Sequence, residues 1–208
     1  MIKWRLDESQ DNPTLVLLAG PNGSGKSTAA PYLLRGELQV SEFVDADTIA
    51  RGLSAYAPER VSIEAGKVML RRLRELASRR VSFGFETTLA SRSFAPWIRR
   101  ETENGYQFRL VYLWLDPVDL CIARVRLRQQ GGGHGVPEPT IRRRYAAGLR
   151  NFFSLYRPLS ISWRFYTNHD HPSLVAEGTG NDVVVRQPAI WHMLETRYLD
   201  AADQGSDD

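Results

Sequence analysis

A glycine-rich octapeptide constrains this chain more than any other stretch of it. Gly20-Pro21-Asn22-Gly23-Ser24-Gly25-Lys26-Ser27 has the spacing G-x-x-x-x-G-K-[ST], the phosphate-binding P-loop pattern. Its glycines let the backbone turn tightly and bring N–H groups close to a polyphosphate. An apolar run at 15–19 precedes it and a helix is expected over 26–35, so the helix points its positive end at the same anion. Lys26 can reach the β- and γ-phosphates, Ser27 can place a hydroxyl on Mg²⁺, and Thr28 follows in the first helical turn. The phosphates of a nucleotide, with Mg²⁺ at Ser27, are therefore the expected ligands.

The rest of the chain alternates between strand and helix patterns. Strands are expected at 14–19, 42–45, 81–86, 108–115, 163–168, 174–177 and 183–185. Helices are expected at 46–53, 58–78, 91–104, 117–130, 140–156 and 188–199, with Pro31 shortening or kinking the helix after the loop. This order predicts an α/β fold of the P-loop type: a doubly wound, mostly parallel sheet with helices on both faces. One domain is expected over 1–199, with a helical, arginine-bearing lid at about 124–145. Residues 1–13 read as a polar lead-in, with Trp4 a candidate anchor, and 200–208 as a disordered acidic tail.

Composition narrows the setting. Cys121 is the single cysteine, which excludes an intramolecular disulfide and suits the cytoplasm. No apolar run approaches the roughly 18 residues of a membrane helix. The four histidines, His134, His169, His171 and His192, have no zinc-ligand spacing with it, and no G-x-S-x-G elbow occurs. A net charge of +3 is too small to argue for nucleic acid. The cations are unevenly chosen, however: 24 are arginine and three lysine, one of them Lys26.

Candidate chemistry falls at the predicted strand ends, where ligands of open α/β sheets bind. Asp45-Ala46-Asp47 offers two carboxylates. One can support the loop and the other can orient and deprotonate a hydroxyl, unless Asp47 merely caps a helix beginning at Thr48. Glu86, with Thr87 and Thr88, can hold a Mg²⁺-bound water or a substrate, or cap the next helix. Arg92 suits an anionic group. Arg124, Arg126 and Arg128 precede the loop 131–137, and Arg142, Arg143 and Arg144 follow it. Such a hinge between arginine-bearing helices can close over phosphates, with one or two of the six making contact. His134 is either a substrate contact or a loop residue.

Taken in order, five segments beyond the loop carry a family resemblance: Phe43-Val44-Asp45-Ala46-Asp47, Phe85-Glu86-Thr87-Thr88, Tyr112-Leu113-Trp114-Leu115, the 132–138 loop and Ile141–Tyr145. With the P-loop they resemble the zeta-toxin family of P-loop kinases in its short form. The resemblance implies transfer of the γ-phosphate of ATP to a small hydroxyl acceptor, in the characterised toxins the 3′-hydroxyl of UDP-N-acetylglucosamine, and an antitoxin as partner. By position Asp47 matches the catalytic base, Glu86 and Thr88 the substrate-binding strand end, and Arg128 the first phosphate-neutralising arginine. Arg92 lies near the substrate arginine. The second lid arginine has no clean match, because Gly and His134 occupy its place. Alternatives are a P-loop ATPase or nucleotide-dependent switch, a kinase for another small molecule such as an antibiotic, and a polynucleotide kinase.

Overall fold

Strand β1 (Thr14–Ala19) is buried at every position. That is the burial expected of a central parallel strand, which is covered on both faces. The computed structural model describes residues 12–33, 40–131, 135–180 and 182–198. It places β1 inside a seven-stranded sheet with β2 (Glu42–Val44), β3 (Phe83–Thr87), β4 (Gln107–Trp114), β5 (Ser162–Thr167), β6 (Ser173–Thr179) and β7 (Asp182–Val185). The order is β2-β3-β1-β4-β5-β6-β7. Strands β1 to β5 pair in parallel. β6 and β7 extend the sheet antiparallel.

Alternation along β1 divides the core. Leu15, Leu17 and Ala19 join the larger apolar cluster with Met69, Leu73, Ile98, Leu149 and Trp191. These come from α3 (Ser62–Ser78), α4 (Phe94–Glu103), α6 (Glu138–Asn151) and α7 (Pro188–Tyr198). Val16 and Leu18 face a smaller cluster with Ala29, Ala30 and Leu33, at and just beyond α1 (Lys26–Tyr32). The doubly wound, mostly parallel sheet is thus the one expected, with unequal cover on its two faces among the described residues.

Three predicted helices differ in detail. The run 58–78 begins as a 3₁₀ turn at Pro58–Val61 before α3 starts. The run 140–156 starts at Glu138 and passes at Phe152 into a π-helical turn, Phe152–Tyr156. This wider turn admits Phe152, Phe153 and Tyr156 to the core together, which the one-sided face of a regular helix does less readily. The helix after the P-loop is described over Lys26–Tyr32, with Pro31 inside it, and the expected stretch to residue 35 passes outside the described residues. The N-terminal lead-in up to residue 11, His134 and the acidic tail lie outside the described residues.

Because β1 to β5 run in parallel, their carboxyl ends share one edge. The P-loop, Asp45, Glu86, Asp116 and Asn168 follow or end them there. Helix α6 crosses toward this edge, and Gly148 permits the approach: a Cβ there would lie 2.5 Å from the Thr88 carbonyl oxygen and 3.1 Å from the Tyr112 hydroxyl. Gly148→Ala is therefore expected to destabilise the fold by about 1–3 kcal/mol through overpacking, measured by chemical denaturation.

Candidate active site

The P-loop lysine is folded into the loop itself. Lys26 Nζ donates to the carbonyls of Gly20 at 2.8 Å and Pro21 at 2.9 Å, and lies 3.6 Å from Glu86 Oε1. Ser27 Oγ donates to Glu86 Oε2 at 3.1 Å. The end of β3 and the start of α1 are thus joined through one carboxylate. Burial pushes the Glu86 carboxyl above its ordinary range. The charges of Asp45 and Asp47 add to that, while Lys26 and the Ser27 hydrogen bond oppose it. A desolvated carboxylate 3.1 Å from a hydroxyl, within the field of two further acids, is a hard oxygen donor set. Mg²⁺ is commonly held by one or two carboxylates and completes its shell with phosphate and water, so Ser27 and Glu86 fit it.

The two aspartates have separate positions. Asp45 is the N-cap of α2 (Ala46–Leu53). Its carboxylate accepts from the N–H groups of Asp47 and Thr48, both at 3.1 Å, and from the Thr48 hydroxyl at 2.7 Å. The helix starts two residues earlier than a cap by Asp47 requires. Asp47 instead lines a cavity of about 770 Å³, with Arg51, Tyr56, Glu59, Gln129 and Val136 also in its wall. A neighbouring cavity of about 560 Å³ contains Ser27, Asp45, Thr48 and Glu86. Neither Thr88 nor Arg92 lines the Asp47 cavity. The Thr88 carbonyl faces α6, and Arg92 is exposed just before α4, its charge felt by Tyr156.

The arginines of the expected lid have distinct surroundings. Arg144 of α6 reaches the P-loop, with Nη1 3.4 Å from Asn22 Oδ1. Beside it, the Trp114 indole N–H donates to the Tyr145 hydroxyl at 2.6 Å, and that hydroxyl donates to Asp116 Oδ1 at 3.0 Å. Burial, with the Asp116 charge next, raises the Tyr145 pKa, so the phenol stays protonated and the strap stays made. Arg142 points elsewhere: it pairs with Asp119 at 2.6 Å and Glu138 at 2.8 Å, which neutralises it away from the P-loop. Arg126 also pairs with Glu138, at 2.6 Å.

On α5 (Val118–Gln130), Arg128 is exposed, and Arg124 donates to the carbonyls of Asn168 and His169. The Cys121 thiol on the same helix is pushed up to about 12, chiefly by burial, which keeps it from acting as a thiolate. The sequence reading missed Asn168, the Trp114–Tyr145–Asp116 strap and the far wall of the Asp47 cavity. For Trp114, Asp116 and Asn168 the place at or just past a strand end was the available signal; Tyr145 and the cavity wall come from helices and loops, and the partners are distant in sequence.

The division between the aspartates has a direct test. Asp45→Ala removes a helix cap and is expected to cost about 0.5–2 kcal/mol. Asp47→Ala is expected to leave stability within about 0.5 kcal/mol of wild type. Thermal and urea denaturation of the two variants check this.

Residues 15–154 match the AAA domain family. A Haemophilus influenzae protein of uncharacterized function is 28% identical over 130 residues, which cover 62% of this chain and 91% of that one. Among solved structures, the AvrRxo1-ORF1:AvrRxo1-ORF2 complex superposes with a TM-score of 0.72 in its form with sulphate ions and 0.70 with ATP, at 16% identity. The match covers 88% of this chain but 63% of that one, so the present chain spans less than two thirds of its length. The PezAT toxin–antitoxin system of Streptococcus pneumoniae gives a TM-score of 0.64 at 16% identity, covering 97% of this chain and 89% of that one. The chain belongs to the AAA domain family, and its fold is a zeta-toxin-like P-loop kinase fold.

Proposed function

We propose that this protein is an ATP- and Mg²⁺-dependent kinase that transfers the γ-phosphate to a hydroxyl of a small molecule. One observation carries the reading. Asp47, relieved of helix capping by Asp45, lines a cavity that shares Arg51 with the one lined by Ser27 and Glu86, and its charge acts on the Glu86 carboxyl. An acid that neither caps nor pairs with the P-loop lysine is placed for work on an acceptor.

In this mechanism the loop 20–28 holds the triphosphate by the backbone N–H groups of its residues other than Pro21, and Lys26 exchanges its loop carbonyls for phosphate oxygens. Ser27 and Glu86 would hold Mg²⁺, which supplies charge neutralisation across the β- and γ-phosphates when bound. The acceptor occupies the Asp47 cavity. Asp47 takes the proton of its hydroxyl as the oxygen forms a bond to the γ-phosphorus. The bond from that phosphorus to the β–γ bridging oxygen breaks, and ADP leaves. Arg144, already beside the P-loop, supplies positive charge to the transferring group, with Arg128 as its partner from α5. Thr88 and Arg92 do not line the Asp47 cavity, so their proposed role is to meet a part of the acceptor that extends beyond it; a contact from His134 is proposed from the sequence alone.

A nucleotide-sugar, UDP-N-acetylglucosamine in particular, is the acceptor suggested by the zeta-toxin resemblance, and an antitoxin-type protein is the corresponding partner. The PezAT likeness supports that partner class. The cytoplasm, where ATP and such acceptors reside, is the proposed location. Among the described residues no helix is long and apolar enough to cross a membrane.

A screen of nucleotide-sugars and other hydroxylated metabolites, antibiotics included, for ATP-dependent mass gain tests the reading. Failure of every class, with ADP released at the same rate without them, would favour an ATPase. Asp47→Asn is expected to retain ATP binding by calorimetry and to lose transfer by roughly 10²–10⁴-fold. Arg144→Ala is expected to lower turnover by about 10²-fold, whereas Arg142→Ala leaves it unchanged. Initial-rate measurements on the two arginine variants check which side of α6 faces phosphate.

A further inference from the structure

The geometry points to Asn168 as a positioning residue for the phosphate loop. It stands just past the carboxyl end of β5 and is 8% exposed. Its side-chain Nδ2 donates to the Ser24 carbonyl at 2.7 Å, across 144 residues of chain. Its backbone N–H donates to the Trp114 carbonyl at 2.8 Å. Its own carbonyl accepts from Arg124 Nη1 at 3.0 Å. One buried residue therefore ties the P-loop to the end of β4 and to α5. Because the partner at Ser24 is a carbonyl, which only accepts, the amide must present its NH₂ there.

The consequence lies in the peptide between Ser24 and Gly25. A planar trans peptide points its C=O and N–H in opposite directions. Holding the Ser24 oxygen outward on Asn168 turns the Gly25 N–H the other way, into the concavity where the loop gathers its donors. Gly25 is the N-cap of α1 with φ +88, the left-handed conformation from which successive N–H groups converge on an anion. A Cβ at Gly25 would lie 2.5 Å from Asn168 Nδ2. The last glycine of the loop is thus needed for its φ and also to let the asparagine in. Asn168 makes no contact with phosphate in this role. It holds the peptide plane that does, so that ordering this part of the loop is not left to ATP binding.

The proposal rests on the ATP reading given above, and binding measurements separate the two. Calorimetric titration of the full chain with Mg²⁺–ATP and with Mg²⁺–tripolyphosphate is made on wild type, Asn168→Ala and Asn168→Asp, each confirmed folded by circular dichroism. Both variants are expected to bind both ligands about tenfold more weakly, the loss of one buried hydrogen bond's worth of organisation. Asn168→Asp should do no better than Asn168→Ala, because a carboxylate cannot donate to Ser24. It also keeps the size of the side chain, so it carries the test if the alanine variant does not fold. Mg²⁺–ATP should also raise the melting temperature of the variants less than that of wild type, whereas a merely structural role lowers all melting curves and leaves the ligand-induced shift intact. Variants that bind both ligands with wild-type affinity overturn the proposal and leave the kinase reading standing. A loss for ATP without a loss for tripolyphosphate also overturns it, by placing Asn168 at the base. A wild-type chain that binds neither ligand overturns the ATP reading, and this proposal with it.

Discussion

The Lys26 ammonium is the charge around which the site is arranged. It is 5% exposed, and a charge so far from water requires partners on every accessible side. The loop carbonyls of Gly20 and Pro21 supply two and Glu86 supplies the third. Satisfying the lysine therefore determines how the P-loop curls and where β3 must end. The same carboxylate then has a second oxygen for Ser27, which brings the hydroxyl and the acid together. Buried pairs of this kind gain little net stability over apolar packing. Their value here lies in pre-organisation of a site for phosphate.

Around that centre, backbone needs and chemical needs are given to different residues. Asp45 satisfies the N–H groups that open α2, so Asp47 has no backbone duty. Asp119 and Glu138 pair with Arg142, so this arginine is held away from the loop. Arg144, two residues on, points about 200° around the helix from Arg142 and meets Asn22 at the loop. The strap from Trp114 through Tyr145 to Asp116 anchors α6 next to it, and the asparagine past β5 holds the loop from the other side.

Much of the fold was legible because parallel strands covered on both faces are apolar runs and their intervening helices have helical periodicity. The first strand and α2 were read with the observed bounds. The errors fell where a local rule met a tertiary one. Pro58 suits the first position of a helix and instead leads a 3₁₀ turn. The run past Asn151 has the periodicity of one helix, which does not reveal the π turn at Phe152–Tyr156 that fits neighbouring aromatic rings into one core. At the site, Asp45 and Asp47 were both visible, but their roles were not. A shift of two residues in the helix start decides which one caps.

The order of residues is enough to establish that a phosphate loop follows a buried strand, that acids and arginines flank it, and that the sheet is parallel around it. Those features are local: glycine spacing, apolar runs and the positions of charged residues along the chain. Which carboxylate caps and which opens on a cavity, which arginine of the Arg142–Arg144 run meets the loop, and that an asparagine 144 residues from Ser24 holds its carbonyl follow from the packing of the folded chain. These depend on the angle at which α6 crosses the sheet edge and on strands distant in sequence ending side by side. A hydrogen bond is made or lost over less than an ångström, and no spacing along the chain specifies distance across the fold to that precision.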